Sequence, residues 1–235
     1  MKIAGLQKMT LLDFPGKVAC TVFLGGCNFR CPYCHNSELL GGTEDPVMDD
    51  VQLLSFLEKR KGLLDGVCVT GGEPTGHKGL TDLLSRIREM GYAVKLDTNG
   101  YRPEVLRDLL DRGIVDYVAM DIKNGPNHYA ATVGLEKFDI ARIEESIRIL
   151  TGGQTAYEFR TTVVDELHSE ESIAQMGQWL YNIAGGKIPK LYLQGFVDRD
   201  TVMFAGLHAP KSEKMAAFLS LLTPFCEAVE IRGKG

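Results

Sequence analysis

The stretch Val18–Asn36, VACTVFLGGCNFRCPYCHN, runs a short apolar segment into three closely spaced cysteines, Cys27, Cys31 and Cys34. Val18–Leu24 has the length and the β-branched and aromatic content of a buried strand. Gly25 and Gly26 break it, and a C-x3-C-x2-C pattern follows. A [4Fe–4S] cube offers four irons to thiolates. Three thiolates hold three corners and leave one iron open to another ligand. Zinc competes, because structural zinc sites use C-x2–4-C pairs completed by two more Cys or His. His35 or Cys20 could complete such a set, but no second C-x2-C or H-x3–5-H pair exists in the chain. Cys31–His35 also matches the C-x-x-C-H haem-attachment pattern. Haem attachment goes with export, however, and the N-terminal MKIAGLQKMTLLDFPGK lacks the apolar run of a signal peptide. A disulfide is disfavoured in an intracellular chain. The spacing favours a cluster and leaves zinc open.

The rest of the chain sets the frame. With 235 residues, 44% hydrophobic and 24% charged, it reads as one ordinary globular domain with a sizeable core. A net charge of −5 argues against a broad nucleic-acid-binding face. No apolar run approaches the ~20 residues of a membrane span. The expected location is the cytoplasm, with no nucleic-acid or membrane partner. Cys20, Cys68 and Cys226 lie in apolar stretches and read as buried thiols.

Strand-like runs recur at Val18–Leu24, Gly66–Thr70, Tyr92–Asp97, Val115–Ile122, Tyr157–Val164, Lys190–Phe196 and Ala228–Ile231. Between them, Leu80, Leu83, Leu84 and Ile87 follow helical spacing, as do Met215, Phe218, Leu219 and Leu222. Ile173, Met176, Leu180 and Ile183 nearly do so. Pro103 and Gly113 mark a helix start and stop. About six β-then-α units predict a parallel sheet with helices outside it. They are too few to close a full barrel. The expected fold is α/β, a partial, open (β/α)6 TIM-type barrel, with a doubly wound flat sheet as the alternative.

In such folds chemistry gathers at the C-terminal ends of the strands. The cysteine triplet follows the first strand and Gly71-Gly72-Glu73-Pro74 the second. Asp97-Thr98-Asn99-Gly100 ends the third, and Asp121-Ile122-Lys123 the fourth. Arg160 lies within the fifth, and Gln194 near the end of the sixth.

These motifs carry a family resemblance. CNFRCPYCHN followed by VTGGEP resembles the radical S-adenosylmethionine (SAM) superfamily, and LDTNG and MDIK resemble its glycyl-radical activating branch. The stretch Leu11–Asn36 is especially similar to anaerobic ribonucleoside-triphosphate reductase activating proteins, with pyruvate formate-lyase activating enzymes close by. The resemblance reaches to about Gln194. It implies a single domain over 1–235, a core of the radical SAM kind at about 16–197 and a C-terminal α/β extension at about 198–235.

The same resemblance implies the cofactors and the roles. One [4Fe–4S] cluster sits on Cys27, Cys31 and Cys34, and SAM chelates its open iron. Reductive cleavage of the sulfonium gives a 5′-deoxyadenosyl radical, and no acid–base or nucleophilic residue is required. Gly71, Gly72, Glu73 and Pro74 face the SAM amino group. Lys123 and Arg160 suit its carboxylate or ribose, Tyr33 lies beside the adenine, and Gln194 reaches toward the ribose. Thr98 and Asp121 complete the contacts. Asp97, Thr98 and Asp121, with the carbonyl of Ala119, also correspond to a monovalent cation site. Each has a blander reading: GGEP as a capped turn, Arg160 as a structural ion pair, and the carboxylates as caps. His35 reads as a capping or supporting residue rather than a ligand. His77, His128, His168 and His208 belong to no recognisable set.

Asn36–Val69 contains only Cys68, so no auxiliary cluster is expected. The implied partners are a glycyl-radical protein as substrate and a flavodoxin or ferredoxin as electron donor. Two other classes stand beside this reading. One is a small-molecule radical SAM enzyme such as a 7-carboxy-7-deazaguanine synthase, and the other is a non-catalytic metal-binding module.

Overall fold

The computed structural model describes residues 1–42 and 45–233 and divides into two compact units. One unit comprises Met1–Asn28 and Glu38–Ala119; the other comprises Phe29–Ser37 and Met120–Gly235.

The first unit contains β1 (Lys2–Ile3), β2 (Gly5–Thr10), β3 (Ala19–Leu24), β4 (Met48–Asp49) and α1 (Asp50–Glu58). It continues with β5 (Gly66–Gly71), α2 (Leu80–Glu89), β6 (Ala93–Thr98) and α3 (Pro103–Asp111). The chain leaves it within β7 (Tyr117–Asp121). β2 runs antiparallel to β3, and β3, β5 and β6 follow as parallel neighbours. In β3 and β5 the residues of the apolar runs are nearly all buried, as a strand covered on both faces requires. The stripe Leu80, Leu83, Leu84 and Ile87 is the buried face of α2. Pro103 opens α3, and Gly113 turns the chain beyond its end at φ 63°.

The second unit takes up the end of β7 and adds α4 (Tyr129–Thr132), α5 (Ile140–Gly152), β8 (Ala156–Val163), α6 (Glu170–Ala184) and β9 (Ile188–Gly195). It ends in α7 (Ser212–Leu222) and β10 (Cys226–Arg232). β8, β9 and β10 are parallel neighbours, with Arg160 opposite Tyr192 and Ile231 opposite Leu193. A capping box between Ser169 and Ser172 starts α6. Gly177 lets that helix lie close to Phe225 and Leu222, since a Cβ there would sit 2.4 Å from the Phe225 ring.

All seven strand runs expected from the sequence are strands, within two or three residues at each end. The polar motifs fall where β3, β5, β6, β7 and β9 end, and Arg160 lies inside β8. Three strands were not anticipated: β1 and β4, two residues each, and β2, whose Gln7, Lys8 and Met9 are exposed. Cys20, Cys68 and Cys226 are buried, and burial pushes the Cys20 and Cys226 thiols up to about 12.

β10 is locked by a charged clamp. Glu158, 1% exposed, accepts two hydrogen bonds from the Arg232 guanidinium at 2.8 and 2.9 Å. The guanidinium also lies over the Tyr192 ring. Removing one member of such a pair strands a buried charge. Arg232→Met is therefore expected to lose about 2–3 kcal/mol in urea unfolding, and Glu158→Gln with Arg232→Met is expected to lose less than the single variant.

Candidate functional site

In the first unit the site begins with the turn that carries Cys27. β3 ends at Leu24, and Gly26 turns the chain at φ 84°. The GGEP turn is fastened directly to this loop: the Gly72 N–H donates to the Leu24 carbonyl at 2.8 Å, and the Glu73 N–H to the Gly26 carbonyl at 2.7 Å. The two glycines are required here by the closeness of backbone to backbone. A Cβ on Gly72 would lie 2.0 Å from the Gly26 oxygen, and one on Gly71, at φ 124°, 2.2 Å from the Leu24 oxygen. His77 closes the loop from the far side, its Nε2 donating to the Gly25 carbonyl at 2.6 Å.

Glu73 is buried at 2% exposure and caps the single 3₁₀ turn Pro74–Gly76. Its carboxylate accepts from the Thr75 N–H (3.1 Å), the Thr98 hydroxyl (2.7 Å) and the Asn99 N–H (2.6 Å). Burial raises its pKa against the pull of these donors. The capped-turn reading of GGEP is thus realised, and the same acid reaches across to the end of β6. There Asn99 Nδ2 donates to Asn28 Oδ1 at 2.9 Å and lies 4.0 Å from Cys27 Sγ. Asn28 Nδ2 is buried with no hydrogen-bond partner among the described residues. Asp97 is held by the ammonium of Lys95, a side chain buried in β6, and by the Cys68 thiol at 3.7 Å.

In the second unit the segment Phe29–Ser37 carries Cys31, Tyr33 and Cys34. The Cys34 N–H donates to the Cys31 carbonyl at 3.1 Å, closing a turn that turns Tyr33 inward. Tyr33 packs with Val164 and Phe196 and is 3% exposed. Its hydroxyl is buried without a partner among the described residues. Burial drives its pKa well up, so it stays protonated. His35 stacks on Phe196 at 5.4 Å and bonds the Val197 carbonyl at 2.8 Å. These two contacts fix the ring against the end of β9. The Thr201 hydroxyl returns to the His35 carbonyl at 2.8 Å, so the 198–210 segment lies over the cysteine-bearing segment within this unit.

Asp121, Lys123 and Arg160 meet in the same unit. Lys123 Nζ donates to Asp121 Oδ2 at 2.9 Å and Arg160 Nε to Oδ1 at 3.0 Å. Burial alone would raise the Asp121 carboxyl, but the two cations more than offset it and hold it down at about 2. Lys123 in turn is kept protonated by Asp121 in spite of its own burial. The ion-pair reading of Arg160 is therefore present. Gln194 stands half-buried between Thr162 and Arg232 in the strand register.

His168 had no assigned role in the sequence, yet it positions Lys123. The Val164 N–H donates to His168 Nδ1 at 3.0 Å, which places the proton on Nε2. That proton goes to the Lys123 carbonyl at 2.9 Å. His77 and Asn28 were also missed, because each acts through a backbone or amide contact that no spacing announces, and Asn99, named only within its motif, joins Glu73 to Asn28. Lys95 carried a readable signal. A charge inside the apolar run Tyr92–Asp97 needs a partner.

Burial lowers the pKa of both His168 and His35 below the usual histidine value. A group with a lowered folded pKa contributes stability fully above its unfolded value, about 6.5, and loses it as pH falls from there toward the folded value. The melting temperature is expected to drop below pH 6.5, and His168→Gln is expected to flatten part of that slope. A slope unchanged in the variant would contradict the neutral imidazole.

The family profile of the Radical SAM superfamily matches residues 21–170. A Methanocaldococcus jannaschii protein, provisionally named a glycyl-radical enzyme activating enzyme, is 29% identical over 242 residues, covering 98% of this chain and 95% of its own length. The 7-carboxy-7-deazaguanine synthase of Thermococcus kodakarensis is 26% identical, over 72% of this chain and 70% of its own. Among solved structures, a domain of the pyruvate-formate lyase-activating enzyme of Bacteroides vulgatus superposes with a TM-score of 0.57 at 20% identity. It covers 72% of this chain and 99% of that domain, and the likeness shows the fold.

Proposed function

Since the chain belongs to the radical SAM superfamily, we propose that it is the activating enzyme of a glycyl-radical protein, most closely of the anaerobic ribonucleoside-triphosphate reductase kind. The observation that carries this reading is the match to the M. jannaschii relative along nearly the whole of both chains. The motif Leu11–Asn36 supports the choice of partner. A pyruvate formate-lyase-type target is the nearest variant. The second reading, a 7-carboxy-7-deazaguanine synthase, is favoured by the T. kodakarensis relative.

The residues present fit a cluster and SAM. Cys27, Cys31 and Cys34 are half-exposed thiols within one short segment, without disulfides, and thiolates are the donors that iron–sulfur clusters take. Asn28 Nδ2 and the Tyr33 hydroxyl are buried polar atoms of that segment left for a ligand or water to satisfy. With both groups bound, they would supply radical chemistry by reductive cleavage of SAM, directed at a glycine Cα of the partner.

The chain's own part is to bind, orient and exclude water. Lys123 and Arg160 hold the SAM carboxylate and ribose oxygens while Asp121 fixes both cations. The carbonyls of Gly71 and Gly72 receive the SAM amino group, with Glu73 and Pro74 setting the turn. The backbone around Tyr33 takes the adenine, and Thr98 and Gln194 stand toward the ribose. Residues 16–197 act as the catalytic core and 198–235 as an α/β extension. The setting is the cytoplasm, with a flavodoxin or ferredoxin as the electron source; no helix among the described residues is long and apolar enough to cross a membrane. A monovalent cation at Asp97, Thr98 and Asp121 fits poorly, since both carboxylates already hold protein cations.

The test is anaerobic. Iron-reconstituted protein is reduced with dithionite and given SAM, and 5′-deoxyadenosine is quantified. Glycyl-radical candidates from the same genome are then added and examined by EPR. Deoxyadenosine and a glycyl doublet are expected, and Cys31→Ala is expected to lose both along with its bound iron. Deoxyadenosine formation coupled to a heterocycle and never to a doublet would favour the synthase. Absence of deoxyadenosine from a fully loaded protein would overturn both readings.

A further inference from the structure

Lys95 is the most deeply buried cation of the first unit, at 1% exposure, and the resemblance gives it no task. It sits in β6 two residues before Asp97, so the two side chains leave the same face of the strand. Its register partner on β5 is Cys68. The ammonium forms an ion pair with Asp97 Oδ1 and lies 3.7 Å from Cys68 Sγ. The thiol lies 3.7 Å from the same carboxylate oxygen. A buried ammonium is costly unless it is matched in charge and hydrogen-bonded. Asp97 supplies that match, and the pair is neutral.

A second cation on Asp97 would meet this ammonium at close range. Two like charges in contact with one buried carboxylate oxygen repel strongly, because the surroundings screen them far less than water does. Thr98 offers little to draw one in: its hydroxyl donates to Glu73 and accepts from the Gly100 N–H at 3.1 Å. In the second unit Asp121 is matched twice over, by Lys123 and Arg160. Every carboxylate that the resemblance would assign to an alkali cation carries a protein cation of its own.

We propose that the Lys95 ammonium is the resident cation on Asp97, standing where related enzymes would place an exchangeable monovalent ion, so that SAM binding in this protein is independent of potassium and sodium. Lys95 acts as a positioning residue: it fixes the Asp97 carboxylate at the end of β6 and touches neither cluster nor SAM. This rests on the radical SAM reading for the ligand but not for the ion pair itself.

The experiment measures equilibrium SAM binding to the cluster-loaded protein in KCl, NaCl and choline chloride at equal ionic strength. The wild type is expected to change less than about 2-fold among the three salts, and Lys95→Gln to bind at least about 10-fold more tightly in KCl than in choline chloride. Melting temperatures of the cluster-free proteins in the same salts give a second readout. Wild type is expected to be indifferent to the cation, and the variant to gain a few degrees with KCl. Potassium-dependent SAM binding by the wild type, abolished in Asp97→Asn, would overturn the proposal. If SAM fails to bind in any salt, the radical SAM reading falls instead, and the melts still decide the cation: saturable stabilisation of the wild type by KCl over choline chloride contradicts a resident Lys95. Should Lys95→Gln not fold, the wild-type titrations decide alone.

Discussion

One buried carboxylate organises the first unit. Glu73 ties the GGEP turn after β5 to Thr98 and Asn99 at the end of β6, while its own N–H and that of Gly72 tie the turn to the loop after β3. Three strand ends are thereby fixed to one another through a single residue. Burying the group is unfavourable, which its raised pKa reflects, and the donors around it recover only part of the cost. Hydrogen bonds to a charged acceptor are worth about 1.5–3 kcal/mol each. Glycine at 71 and 72 is the condition for this knot, because any side chain there would collide with the Leu24 and Gly26 backbone.

The second unit also gathers its groups around a carboxylate, here with cations as the donors. Asp121 gathers Lys123 and Arg160, and His168, neutral and donating through Nε2, holds the Lys123 backbone in place. Tyr33 anchors the segment that carries Cys31 and Cys34 by packing with Val164 and Phe196. Lys123 and Arg160 are thus gathered on one carboxylate, and Cys31 and Cys34 flank a turn whose aromatic side chain is sunk into the core.

The parallel strands were legible because a strand covered on both faces becomes a continuous apolar run, as in ACTVFL and GVCV. β2 was not, since GLQKMT lies at the open side of β3 and three of its residues face solvent. The strand-end motifs could be found from the same runs. The partners of their side chains could not, because Glu73 meets Thr98 across 25 positions and Asp121 meets Arg160 across 39. The need for glycine at 71 and 72 was not legible either, because the crowding that demands it comes from the Leu24 and Gly26 backbone of another strand end. Lys95 shows the opposite case. Its placement in an apolar run was a readable sign of a buried ion pair, but the partner emerged only with the β5–β6 register.

The central claim is that three thiolates, Cys27, Cys31 and Cys34, hold a cluster with one iron left for SAM. Mössbauer spectroscopy of protein reconstituted with iron-57, recorded with and without SAM, addresses that iron directly. One iron distinct from the other three, with parameters that move when SAM is added, is the expected result. A cluster whose irons are all indifferent to SAM would contradict it.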